Sequence, residues 1–87
     1  MTDTTYNGWT NRETWNAALW MGNQYGTYRV MVDLLEHSRN AGDLADSMEH
    51  VMGTLWGSKT PDGESVQFVN WAEIADSWWE DYDMAKN

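Results

Sequence analysis

The chain contains no cysteine, a single proline and only five basic residues among its 87 amino acids. Without cysteine it forms neither a disulfide nor a cysteine-ligated metal site. A small domain without disulfides favours a reducing compartment, so we expect a cytoplasmic protein. The first eight residues lack the basic start and apolar run of a signal peptide. No apolar stretch approaches the roughly 20 residues that span a membrane, and no membrane association is expected.

Basic residues are scarce and scattered. Fourteen acids against five bases give a net charge of -9. The bases are Arg12, Arg29, Arg39, Lys59 and Lys86. Such a distribution cannot neutralise several phosphates together, which argues against direct nucleic-acid binding. The negative field of the chain repels nucleic acid and anionic membranes, and it attracts basic protein surfaces.

Motifs for catalysis and cofactor binding are also missing. The chain has no glycine-rich phosphate loop and no nucleophile elbow. Its two histidines, His37 and His50, lie outside the H-E-x-x-H and E-x-x-H patterns of metal sites. Asp46 and His50 are four residues apart, which fits a surface salt bridge better than a ligand pair. We therefore expect no enzyme, no metal and no other cofactor. A small hydrolase or metal protein is the alternative, which metal analysis would detect.

Aromatic residues are abundant instead. The chain holds seven tryptophans and four tyrosines, and 41% of its residues are hydrophobic. Each large aromatic side chain buries roughly 150–250 Å². At about 25 cal/mol per Å², a few buried tryptophans supply much of what a small core needs. The sequence therefore predicts one domain, residues 1–87, with a tryptophan-rich core.

Apolar spacing and turn residues predict an all-α domain of about four short helices. An extended leader, residues 1–9, precedes them. The predicted helices cover residues 10–25, 27–39, 43–56 and 70–84. A short hairpin between the leader and residues 64–69 is the alternative for the N-terminus.

Capping residues mark where these helices begin. Thr10 with Glu13 three residues later predicts a capping box for the first helix. Asn70 with Glu73 predicts the same for the last helix. Thr27 is the predicted cap of the second helix.

The last predicted helix separates apolar from acidic residues. Its apolar face comprises Trp71, Ile74, Ala75, Trp78 and Tyr82. The opposite face, here called the acidic face, comprises Glu73, Asp76, Glu80 and Asp83. No lysine or arginine occurs from Pro61 to Ala85, although like charges at this spacing cost the helix a few tenths of a kcal/mol each. Trp79 lies at the edge of the acidic face, and tryptophan beside charge is typical of a binding hot spot.

Two interpretations of the acidic face stay open. Runs of charge are usually solvated surface. The functional interpretation is an interface for a basic groove, with fast steering and salt-sensitive affinity. Trp20 and Met21 form a candidate second interface, because four short helices do not bury every large side chain.

Two segments carry a resemblance to a known family. Residues 7–11 read Asn-Gly-Trp-Thr-Asn; Thr14-Trp15, Leu19-Trp20 and Tyr25 or Tyr28 follow. Residues 69–75 read Val-Asn-Trp-Ala-Glu-Ile-Ala. Together they resemble the signature of a small, poorly characterised family of phages, plasmids and related mobile elements, over most of the chain. The resemblance implies a mobile-element origin and assigns no catalytic residue. Small acidic proteins of that origin are often inhibitors of host defence, such as anti-CRISPR or anti-restriction proteins.

These observations lead to one main hypothesis. We expect a small acidic mobile-element protein that inhibits a host defence complex in the host cytoplasm, acting as a DNA mimic on a basic nucleic-acid-binding surface. The predicted partner-binding residues are Glu73, Asp76, Trp79, Glu80 and Asp83. The alternative is a non-inhibitory interaction module that self-associates as a homodimer through exposed tryptophan and methionine.

Overall fold

The computed structural model of the chain describes residues 6–86, with residues 83–86 described by their backbone alone. Within this range it contains four α-helices and one short 3₁₀ turn, Val66–Phe68. The helices are α1 (Arg12–Asn23), α2 (Tyr25–His37), α3 (Ala41–Trp56) and α4 (Trp71–Lys86). No strand occurs in the described range, and the predicted all-α class is confirmed. Residues 1–5 of the predicted leader lie outside the described residues.

The start of α1 differs from the predicted one. Asn11, not Thr10, is the N-cap, and its Oδ1 accepts the backbone N–H of Thr14 over 2.8 Å. The predicted Thr10 cap is wrong, because the Asn11 side chain accepts the Thr14 N–H; Thr10 precedes the cap, and its own backbone N–H donates to Glu73 Oε1 over 2.9 Å. Asparagine and threonine are both good caps, and the tertiary contact decides between them.

The predicted cap of α4 is confirmed. The backbone N–H of Glu73 donates to Asn70 Oδ1 over 3.1 Å. In a complete capping box the N–H of Asn70 would donate to the Glu73 carboxylate. Here it donates to Thr14 Oγ1 instead. A residue of α1 thus completes the first turn of α4.

The second and third helices both begin earlier than predicted. α2 begins at Tyr25, so the predicted cap Thr27 lies inside the helix, where it is buried and its hydroxyl donates to Gln24 Oε1 over 3.0 Å. α3 begins at Ala41 after the cap Asn40, whose Oδ1 accepts the N–H of Asp43 over 2.9 Å.

The core is built from methionine. Its buried hydrophobic residues are Ala17, Met21, Met31, Leu35, Leu44, Met48, Met52, Val69, Trp71, Ile74 and Ala75. Only Trp71 among the seven tryptophans is buried, and the other six are half-buried. Four of these six pack against the cluster: Trp9, Trp56, Trp78 and Trp79. Tryptophan surrounds the core more than it fills it, so the predicted tryptophan-rich core is confirmed only in part. Unbranched methionine fills irregular gaps between short helices, whereas an indole keeps its polar N–H near a partner or solvent.

Several large apolar side chains of the helices lie at the surface. Leu19, Tyr28 and Leu55 are exposed, although each falls in the apolar pattern of its helix. The apolar face of α4 packs as predicted, with Trp78 and Tyr82 half-buried against the core. α4 makes its most extensive contacts with α3.

Two short turns complete the described chain. Tyr6 and Trp9 exchange backbone hydrogen bonds of 2.7 and 2.8 Å around Asn7-Gly8, and Lys59 pairs with Ser65. Asn7 and Gly8 both have positive φ, 48° and 89°, as a two-residue hairpin turn requires. Residues 6–9 therefore pair among themselves. None of the helices in the described range is long and apolar enough to cross a membrane.

Candidate functional site

The acidic face lies on the outer side of α4, opposite the core. Asp76 and Glu80 are exposed and one helical turn apart. Within the described side chains, neither carboxylate forms an ion pair. The side chain of Asp83 lies outside the described residues. Asp76 and Glu80 are therefore the predicted site residues that present charge to solvent.

Glu73 differs from the other two acids. It is half-buried, and its carboxylate accepts the N–H of Thr10 over 2.9 Å. This hydrogen bond joins the segment before α1 to the first turn of α4. Glu73 thus contributes to the acidic face and also to the fold.

Trp79 lies where the acidic face meets the core. It is half-buried, packs against the core, and its ring centroid is 5.9 Å from that of Tyr82. Part of the indole remains exposed. Packing against the core and Tyr82 sets its orientation, and its role in binding stays a prediction.

A shallow groove runs between the acidic face and the turn at residues 6–9. Its walls are Asn7, Gly8 and Trp9 on one side and residues of α4 on the other. The residues of α4 are Glu73, Asp76, Ser77 and Glu80. The turn, closed by two backbone hydrogen bonds, holds the Trp9 ring beside this carboxylate row.

Two of the five basic residues form ion pairs with acids outside α4. Arg12 Nε lies 2.9 Å from Glu64 Oε2, and Arg39 Nε lies 2.8 Å from Asp43 Oδ2. The side-chain hydrogen bond from Arg39 lowers the pKa of Asp43. Among the described side chains, no cation forms an ion pair with Asp76, Glu80 or Asp81 of α4.

The candidate second interface is corrected by the structure. Met21 is fully buried in the core, so its side chain offers no surface to a partner. Trp20 is half-buried, and its Nε1–H donates to Asp62 Oδ2 over 2.9 Å. The polar end of this indole is therefore used to hold the loop before α4.

A buried polar network that sequence reasoning missed lies beneath that loop. Asn16, 2% exposed, donates through Nδ2 to Asp62 Oδ2 over 2.7 Å and accepts the hydroxyl of Thr60 at Oδ1 over 2.6 Å. The hydrogen bond from Asn16, followed by that from Trp20, lowers the pKa of Asp62. The signal in the sequence was an asparagine on the apolar side of α1. A buried amide there requires specific hydrogen-bond partners to compensate the cost of its burial.

The signature residues near both ends of the chain meet in space. Asn11 Nδ2 donates to the carbonyl of Phe68 over 2.9 Å, and Thr14 Oγ1 accepts the N–H of Asn70 over 2.8 Å. These polar side chains bind backbone groups of the fold. Their pattern is accounted for by architecture, without any reacting group.

No cluster suited to a metal is found in the described part of the chain. No three histidine or carboxylate side chains there lie close enough together to hold an ion. What the site offers chemically is surface charge next to aromatic rings.

A protein-family model described as a family of unknown function (DUF7249) matches residues 2–86, and the chain belongs to this family. No curated protein and no solved structure matches the chain.

Proposed function

We propose that this protein, encoded by a phage or another mobile element, binds a basic nucleic-acid-binding surface of a host defence complex and inhibits that complex. The observation that carries the proposal is the pair Asp76 and Glu80, exposed on one face of α4 and without an ion-pairing base among the described side chains. A partner that supplies lysine or arginine would compensate this charge. Inhibition of an anti-CRISPR or anti-restriction type follows when the same basic residues are needed for nucleic acid.

The spacing of the acids supports a resemblance to a nucleic-acid strand. Glu73 and Asp83 are ten residues apart, which corresponds to about 15 Å along a helix at 1.5 Å per residue. Four acids over that length give one charge per about 5 Å, against one per about 3.4 Å along a DNA strand. The acidic face is thus a short, less dense row of negative charge that a phosphate-binding groove would accept.

Electrostatic steering is the expected mode of association. A net charge of -9 on 87 residues attracts a basic surface over a distance and repels competing nucleic acid. The affinity should fall steeply with salt, since the exposed carboxylates of Asp76 and Glu80 are screened within about 8 Å at physiological ionic strength. Trp9, which lines the groove with these acids, and the half-buried Trp79 would contribute apolar contact area once the partner is bound.

A pull-down from host extract with matched charge reversals tests the proposal. The variant Asp76→Lys/Glu80→Lys changes the acidic face, and Asp46→Lys/Glu49→Lys makes the same charge change on exposed residues of α3. Wild type and the α3 variant should retain a basic nucleic-acid-binding complex at low salt and release it at high salt. The α4 variant should lose it. The captured complex should bind its nucleic acid less well when wild-type protein is added.

Two results would refute the proposal. The α4 variant could inhibit the captured complex as fully as wild type does. Alternatively, both charge-reversed variants could lose binding equally, which would make net charge the cause and leave no role for the acidic face. Circular dichroism of each variant confirms that the fold is retained before binding is compared.

Self-association is a second candidate function, favoured by exposed apolar side chains. Tyr25, Leu55 and Phe68 are 74%, 59% and 57% exposed. A non-inhibitory module would use them to form a homodimer that persists at high salt. Sedimentation of the purified chain at 0.1 and about 1 M salt separates the two candidates, because screening weakens only the charge-driven interaction. A monomer at both salt concentrations refutes self-association.

A further inference from the structure

An apolar groove between α2 and α4 lies on the other side of Ser77 from the acidic face. α2 lines it with Tyr28 and Val32, and α4 lines it with Trp78 and Tyr82. The Tyr28 and Trp78 rings lie 5.6 Å apart at 51°, and Tyr28 is 45% exposed. Two tilted aromatic rings therefore form an open apolar floor between two helices.

The edge of this groove is acidic. Asp81 lines it and is exposed, and no base among the described side chains pairs with it. Glu36 follows Val32 by one helical turn on α2 and is also exposed. Ser77 lines both this groove and the groove at the acidic face, so apolar floor and acidic row adjoin on one helix. Neither Arg29 nor His37, the basic residues of α2, lines the groove.

We propose that the α2–α4 groove binds an amphipathic basic helix of the partner protein. Apolar side chains of that helix would lie on Tyr28 and Trp78, and its lysines or arginines would pair with Asp81 and, beyond Ser77, with Asp76. A cleft between two helices is the usual receptor for an amphipathic helix, which is anchored by apolar residues at helical spacing. The inference rests on the proposed function, which supplies a basic partner. It adds that the partner is recognised through an amphipathic helix.

Charge complementarity selects this occupant over others. A second copy of the chain would bring one acidic edge against another, with a net charge of -9 on each copy. Nucleic acid and anionic lipid are repelled for the same reason. A basic helix compensates the acids and covers the rings at once, whereas a neutral apolar helix would leave Asp81 without a partner next to a desolvated interface.

Two labelled model peptides of identical composition test the inference. One places leucines on a single stripe of a lysine-rich helix, and the other scrambles them. Fluorescence anisotropy with the full chain should show the amphipathic peptide binding at least about tenfold more tightly than the scrambled one. The scrambled peptide cannot place its leucines together on the aromatic rings, and it therefore loses an anchoring contact. Equal binding of both peptides would overturn the inference, because charge alone would then explain it.

Paired variants locate the binding site. Tyr28→Ala should weaken the amphipathic peptide about tenfold, while Tyr25→Ala, an exposed tyrosine of the same helix outside the groove, should change it less than about twofold. Asp81→Lys should weaken it more than Asp46→Lys on α3. If Tyr28→Ala unfolds the chain, Val32→Thr keeps the volume and introduces a hydroxyl at the groove. Equal effects within either pair would overturn the inference.

The inference and the proposed function can fail separately. Binding of the peptide in the groove, without inhibition of any basic complex, supports the groove and refutes the inhibitory function. Inhibition that depends on Asp76 and Glu80 but is unchanged by Tyr28→Ala and Val32→Thr refutes the groove alone. A dimer that Tyr28→Ala dissociates would assign the groove to a second copy and overturn the basic-helix occupant.

Discussion

The backbone N–H of Asn70 donates a hydrogen bond of 2.8 Å to Oγ1 of Thr14, 56 positions earlier in the chain. Thr14 is fully buried, and its own hydroxyl donates to Asn11 Oδ1 over 2.6 Å. One hydroxyl thus joins the cap of α1 to the cap of α4. With the Glu73–Thr10 contact, the first turns of both helices become one hydrogen-bonded unit, which holds the acidic face of α4 in place.

Removing the Thr14 hydroxyl should destabilise the fold. Thr14→Val keeps the shape of the side chain but leaves the Asn70 N–H and Asn11 Oδ1 each short of one partner. We expect a loss of about 1–2 kcal/mol in the free energy of unfolding. Chemical denaturation followed by circular dichroism measures it.

The control for this substitution is Thr54→Val. Thr54 is exposed, and its hydroxyl donates to the His50 carbonyl within α3 over 3.0 Å. Its replacement should change the stability by less than about 0.5 kcal/mol. Equal losses from the two substitutions would mean that the bond between the two caps contributes no more than the exposed bond within α3.

Helical periodicity predicted the parts of this architecture that depend on local sequence. The spacing of residues on α4 correctly separated its core face from Asp76 and Glu80, and Asn70 was correctly identified as a cap. The cap of α1 was misplaced by one residue. Thr10 and Asn11 are both suitable caps, and contacts across the tertiary fold distinguish them: the Thr10 N–H donates to Glu73, and Asn11 Nδ2 donates to the Phe68 carbonyl.

The role of the large side chains could not be predicted, because it depends on contacts that are distant in sequence. The Trp20 indole and Asp62 are 42 positions apart, and periodicity gives no indication of their hydrogen bond. Met21, next to Trp20, points instead into the core. Whether a tryptophan or a methionine fills an interior depends on the shape that four helices enclose, which composition does not specify.

The buried amide of Asn16 should contribute more to stability than an exposed asparagine of the same helix. Asn16→Ala removes its bonds to Thr60 and Asp62, leaving the nearly buried Thr60 hydroxyl without its acceptor. A loss of about 2–3 kcal/mol is expected, with earlier proteolysis in the loop at residues 58–65. Asn23→Ala, at the exposed end of α1, should cost under about 0.5 kcal/mol. A loop that resists protease equally in both variants would contradict this assignment.

The carboxylate of Asp62 should contribute to stability only above acidic pH. Hydrogen bonds from Asn16 and Trp20 lower its pKa below the ordinary value of 3.8. Because its pKa is lower in the folded state, its stabilising contribution is complete above the unfolded value and is lost as the pH falls through the folded value. The difference in unfolding free energy between wild type and Asp62→Asn should therefore be largest near neutral pH and shrink below about pH 4.

Comparison with the Asp62→Asn variant is needed because protonation of the other acids also relieves repulsion in so acidic a chain. The difference between the two proteins isolates Asp62. Trp20→Phe, which removes the Nε1–H donor, should raise the pKa of Asp62 in an NMR titration toward its ordinary value. A wild-type advantage that stays constant from pH 7 to pH 2 would rule out this linkage.

Two glycines at the end of α3 should respond to alanine in opposite directions. Gly53 lies inside the helix, and a Cβ there meets no atom within 4 Å, so Gly53→Ala should stabilise the fold by about 0.5–1 kcal/mol. Gly57 follows the helix with φ 72° and ψ -128°, a conformation in which a side chain is strained, so Gly57→Ala should destabilise it by about 1–2 kcal/mol. Thermal unfolding of the two variants measures both effects. Stabilisation by Gly57→Ala would show that the chain leaves α3 by a different backbone path, and the loop carrying Asp62 would then be placed differently.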